Sequence, residues 1–179
     1  MAWSKSTSGE KMSENTETQQ SESVAPIQMR VERMYLKDAS FESPGSPTIF
    51  SEQWKPETQV DINTKVDPAG ENRFEVILSC TVTSKRDSER VAFVAEVQYA
   101  GLFVIEGAQP GGQLNQILGI ACPTALFPYL RENLDSLCVR GGFPALNLAP
   151  VNFEALFKQA MQHAQSQAEQ ATEVDGVTH

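Results

Sequence analysis

"RFEVILSCTVTS" (73–84) and, after a short polar break, "RVAFVAEVQYAGLFVI" (90–105) are the stretches on which the fold turns. Side chains alternate faces along an extended chain, so the first run puts Phe74, Val76, Leu78, Cys80 and Val82 on one side. The second sets Val91, Phe93, Ala95, Val97 and Tyr99 against Ala92, Val94, Glu96 and Gln98. Between them "KRDSE" (85–89) turns the chain. Upstream, "TQVDINTKV" (58–66) aligns Val60, Ile62 and Thr64, and "DPAGEN" (67–72) has the Pro, Gly, Asp and Asn of a turn. "IQMRVERMYL" (27–36) alternates at Ile27, Met29 and Val31, then shifts face near Met34 and Leu36, as a bulged strand does. Long alternating strands with short polar turns predict a four-stranded antiparallel meander.

The second half changes period. "QLNQILGIA" (113–121) forms a helix that must stop or kink at Pro123. "TALFPYLRENLDSLCVR" (124–140) follows with Leu126, Leu130, Leu134 and Leu137 at helical spacing and Gly141 as its stop. Asn152 caps a last helix whose apolar stripe is Phe153, Leu156, Phe157, Ala160, Met161 and Ala164. Strands followed by helices make an α+β layout, with the C-terminal helices packed on one face of the sheet.

The 179 residues are one domain's worth. Residues 1–26 are polar and read as a disordered extension, 27–158 as the folded domain, and 159–179 as the end of the last helix and a disordered acidic tail. Met12 opens "MSENTETQQ" and reads as a second plausible start, with residues 1–11 either an upstream extension or a non-native addition. The net charge is −9, but 27–158 hold twelve basic and sixteen acidic groups, only −4. That balance speaks against nucleic acid as a partner and for a basic protein surface. No apolar run reaches the roughly 18 residues of a membrane span, and the N-terminus lacks the apolar core of a secretory signal. A cytoplasmic protein without membrane insertion is expected.

Groups for catalysis are scarce. Cys80, Cys122 and Cys138 have no CxxC spacing and read as small buried hydrophobes. The histidines are His163 and His179, so a thiol enzyme would need Cys122 within reach of His163. No metal-ligand cluster or phosphate loop is present, since "GAQPGGQLNQ" (107–116) lacks the Lys and Ser/Thr such a loop uses. What stands out is apolar material in irregular backbone. "SFESPGSPTIFSEQWKPE" (40–57) carries Phe41, Ile49, Phe50 and Trp54 in a Pro/Ser/Gly loop. "GGFPALNLAPVNFEALF" (141–157) begins with ten largely apolar residues that its glycines, Pro144 and Pro150 keep out of a helix. Two such segments in one small domain point to a binding groove, and a single sheet with few helices to self-association.

The stretches "YLKDASFESPGSP", "FSEQWKPE", "FVAEVQYAGLF", "CPTALFPYLRE" and above all "GGFPALNLAPVNFEALF" resemble the SecB protein-export chaperone family, across residues 27–158. The resemblance implies a homotetramer, a dimer of dimers, in which two four-stranded sheets join edges and helices lie between the two larger sheets. It implies an ATP-independent chaperone without cofactor or metal. Such a chaperone keeps unfolded precursor proteins competent for translocation and delivers them to the SecA translocase ATPase. By position in the family, Trp54, Val60, Ile62, Phe143, Leu146, Leu148, Phe153 and Leu156 fall on the client groove. SecA contact falls on Asp38, Glu42 and Glu96, with Val94 as apolar neighbour; ordinary solvated charge is the competing reading of those carboxylates. Ala95, Val97 and Tyr99 fall on the face that meets helices at the dimer–dimer contact. A SecB-like chaperone serving a toxin–antitoxin system and the Cys122 enzyme are the alternatives.

Overall fold

The structure, a computed structural model, describes residues 26–51, 53, 55–86 and 90–175, with side chains described as far as residue 166. The expectation for the N-terminal extension therefore falls, but for Pro26, outside the described residues. Four strands, β1 (Gln28–Glu42), β2 (Glu57–Gly70), β3 (Arg73–Lys85) and β4 (Val91–Glu106), form one antiparallel sheet in the order β1-β4-β3-β2. The meander expected from the alternation runs through β2, β3 and β4. β1 pairs with β4 instead of β2, which makes the order that of a Greek key. Residues 43–56 make the crossing, with buried Ile49 in a short 3-10 turn over Thr48–Ser51 as the anchor.

The alternation sorts the faces as expected. Val76, Leu78, Cys80 and Val82 of β3 and Phe93, Ala95, Val97 and Phe103 of β4 are all buried against the helices. β1 carries two bulges, between Val31 and Arg33 and between Leu36 and Asp38. The first is the face shift read from the sequence. The second, at Lys37, restores the original parity: Phe41 pairs with Ala95 on the helix side, while Asp38, Ser40 and Glu42 pair with Gln98, Glu96 and Val94 on the open side.

The helical half starts with α1 (Gly112–Gln116) and one π-helical turn, Ile117–Ala121, and runs into α2 (Cys122–Arg140). The helix does not stop at Pro123. The Cys122 N–H donates to the Ile117 carbonyl, five residues back, so the wider turn absorbs the proline's missing donor and ring. Leu126, Leu130 and Leu134 are fully buried over the sheet with Cys122 and Cys138. α2 ends in a Schellman motif: Phe143 N–H bonds to Cys138 O at 2.9 Å and Gly142 N–H to Val139 O at 3.1 Å. The left-handed residue is Gly142, φ 85°, and not Gly141. Gly141 serves a different need, because a Cβ there would run into the Phe41 ring.

α3 (Phe153–Asp175) opens with Asn152 Oδ1 accepting the Ala155 N–H at 3.0 Å, the expected cap. It continues as far as Asp175 into the polar end that was expected to fray, a stretch rich in the good helix formers Ala, Gln and Glu.

Candidate functional site

Residues 143–151 have no regular secondary structure, and other parts of the chain engage the N–H groups of Phe143, Leu146 and Asn147 and the carbonyl of Leu148. Phe143 enters an aromatic cluster, its ring centroid 4.8 Å from Phe93, 5.2 Å from Phe50 and 6.1 Å from Phe41. Beyond it, Asp135 on α2 accepts the N–H groups of Leu146 at 2.9 Å and Asn147 at 3.0 Å through one oxygen. Arg131, one turn earlier, donates to the Leu148 carbonyl at 3.3 Å. Leu146 and Leu148 are half-buried and rest on the core.

A second apolar feature lies between β2, the π-helical turn and α3, a pocket of 420 Å³ open to solvent. Ile62 and Val66 form one wall, Leu118 and Gly119 the base, and Phe153 with Leu156 the helix side. Phe157 lies so close over Gly119 that a Cβ there would run into its ring. Leu156 stays 39% exposed and Met161 44%, because among the described side chains of α3 only Phe153 is buried and Phe157 half-buried against the body.

The structure thus divides the groove residues named from the family. Ile62, Phe153 and Leu156 meet in the pocket. Val60 projects from the same face of β2, opposite Val82, and is exposed. Leu146 and Leu148 belong to the extended segment. Trp54 lies outside the described residues. Phe143, 5% exposed, is core and does not line the pocket, whereas Phe153, 4% exposed, is both a core side chain and part of the pocket lining. Among the described residues Phe143 packs against the rings of Phe41, Phe50 and Phe93, and Phe153 meets Phe127 edge-on at 5.9 Å. The sequence reading missed Val66 and Leu118 as lining. Val66 could have been found by extending the β2 alternation one more step, whereas nothing local marks Leu118.

On the open face of the sheet, Asp38, Glu42, Val94 and Glu96 share one patch across β1 and β4. Asp61 lies in the same row as Glu96, through Thr81. Among the described residues, no ion pair involves these four carboxylates. The other end of the face is paired charge. Arg73 bonds to Glu32 at 2.6 Å, Lys65 to Asp67 at 2.8 Å, and Lys37 to Glu75 at 2.8 Å, with the Tyr35 hydroxyl also donating to Glu75. The Lys37 and Tyr35 hydrogen bonds hold the Glu75 carboxyl below its usual value, and the bond to Glu75 pushes Tyr35 up to about 12.

Ala95 and Val97 also need correction. Both are fully covered within the protomer, under α2, and so have no surface to offer another copy. Tyr99 remains half-buried and stacks on Tyr129 of α2, centroids 5.6 Å apart, and Tyr129 is 49% exposed. The three thiols are buried, and desolvation pushes Cys80 and Cys138 up to about 11 and Cys122 to about 12. A nucleophile needs the opposite shift, so Cys122 is poorly suited to that role. Among the described residues no three His, Cys, Asp or Glu side chains converge as metal ligands, and no helix is long and apolar enough to cross a membrane.

Comparison with known proteins agrees with this architecture. The family model described as preprotein translocase subunit SecB matches residues 19–164. The protein-export protein SecB of Marinobacter nauticus is 48% identical over 88% of this chain and 94% of its own length. That of Hahella chejuensis is 46% identical over 94% of this chain and 100% of its own. Among solved structures, a SecB-like chaperone of Mycobacterium tuberculosis, in complex with a peptide from an antitoxin, superposes with a TM-score of 0.55 at 20% identity. It covers 69% of this chain and 89% of that one, and at this identity the likeness is one of fold.

Proposed function

Because the chain belongs to the SecB family of preprotein translocase subunits, we propose that it holds unfolded secretory precursors on its apolar groove and hands them to the SecA translocase. It does so without nucleotide, in the cytoplasm, as a dimer of dimers. The observation that carries the client-binding reading is the solvent-open pocket between β2 and α3, where Leu156 and Met161 remain exposed beside Ile62. An unfolded chain can supply the missing apolar cover, whereas a folded protein has already buried its own. One such site is weak once ordering costs are met. A client laid over several protomers gains about 10² to 10⁴ in avidity, so slow folders are held and fast folders escape.

For the assembly, the supporting features are the open edge of β1, where Met29, Val31 and Leu36, and Ile27 just before it, are exposed, and the stack of half-buried Tyr99 on exposed Tyr129. For handover, the carboxylates Asp38, Glu42 and Glu96, which make no ion pair among the described residues, offer a basic SecA segment a complementary surface. Export is favoured over an antitoxin client by the naming of the relatives at 45–49% identity as protein-export proteins. Light scattering with and without a denatured slow-folding precursor tests the reading. A tetramer that gains mass with the denatured precursor and not with its native form is expected; equal binding of both forms overturns it.

A further inference from the structure

We propose that Asp135 and Arg131 of α2 are positioning residues for the client groove, holding the 146–148 backbone so that Leu146 and Leu148 present their side chains. The inference rests on the groove reading above. An extended segment outside any sheet must find partners for its amides, because an unpaired, partly buried N–H is costly. Here Asn147 adopts φ 51°, and a left-handed residue in a turn aims successive N–H groups at one point, a shape that receives an anion. The Asp135 carboxylate occupies that point, taking both N–H groups through a single oxygen. The Leu148 carbonyl is taken by Arg131, one helical turn away.

The consequence concerns how this wall recognises a client. With two N–H groups and one carbonyl already engaged, the segment keeps fewer backbone groups for strand-like pairing at 146–148. It offers mainly the apolar side chains of Leu146 and Leu148, which suits many client sequences. The prolines stiffen the segment at either end, and the α2 side chains set its height above the core.

The experiment compares Asp135→Leu, Asp135→Asn and Leu148→Asp by amide hydrogen exchange and by affinity for a denatured slow-folding precursor. Loss of charge-assisted bonds predicts exchange at Leu146 and Asn147 rising about tenfold or more in Asp135→Leu, with β3 amides unchanged as the check on folding. Client affinity falls about fivefold or more, while Asp135→Asn, which keeps an acceptor oxygen, restores both readouts to within about twofold. Arg131→Met gives a weaker effect of the same kind and serves if Asp135→Leu disturbs β3. Unchanged exchange at the two amides, or raised exchange with full client affinity, overturns the proposal. If Leu148→Asp abolishes binding in that case, the groove reading stands and only the positioning role fails; if Leu148→Asp also binds normally, the groove reading itself fails.

Discussion

Replacing Leu156 by Asp separates client binding from folding, because the side chain is already partly in water. A Leu moved fully from water into an apolar site gains ~1.5–3 kcal/mol. With 39% of Leu156 still exposed in the free protein, a client that covers the rest recovers about two-fifths of that, ~0.6–1.2 kcal/mol. A client closing over Asp must also desolvate the new polar group, at a further ~1–3 kcal/mol. The sum, ~2–4 kcal/mol, weakens binding about 30- to 800-fold at a single site. The fold tolerates the change: position 156 lies in the first turns of α3, where a carboxylate suits the helix dipole. The assay is fluorescence anisotropy of one labelled unfolded peptide, short enough to occupy one site, beside a thermal melt of each variant. Phe153→Ala is the contrast, since a 4%-exposed ring leaves a cavity and lowers stability by ~3–5 kcal/mol. If Leu156→Asp binds the peptide as tightly as the parent while remaining folded, the pocket is not where clients lie.

Charge reversal at Glu96, in the Glu96→Lys variant, is expected to weaken SecA affinity and flatten its salt dependence while client binding persists; surface plasmon resonance across ionic strengths checks this, and joint loss of both activities counts against it. The Tyr35–Glu75–Lys37 cluster predicts a pH profile. Glu75 is held below its ordinary value, so its contribution is present above that value and lost as pH falls through the folded one. Tyr35 is raised from 10.0 to about 12, so the hydroxyl's contribution is full below 10 and lost as pH rises through about 12. Denaturant melts of Glu75→Gln should therefore show less acid and alkaline loss than the parent; identical profiles would remove the cluster from the account.

Local pattern told which side of each strand faces inward. The runs Phe74–Val82 and Phe93–Tyr99, the Asn152 cap and the apolar, proline-stiffened 141–151 segment were all legible, since strand alternation, helix capping and proline geometry act over a few residues. Which neighbour covers an inward face depends on residues far apart in the chain, and there the tertiary structure decided. It seated β1 beside β4, and the second bulge, at Lys37, brought Phe41 into the aromatic cluster around Phe143 while turning Asp38 outward. It buried Ala95 and Val97 beneath the protomer's own α2, and made Gly142 the left-handed residue while Gly141 gave room to Phe41. It also parted sealed Phe143 from the more accessible Leu146 and Leu148, three residues of similar greasiness that composition alone cannot rank. Burial is a property of the packed neighbours and not of the residue, and those neighbours come from the other end of the chain.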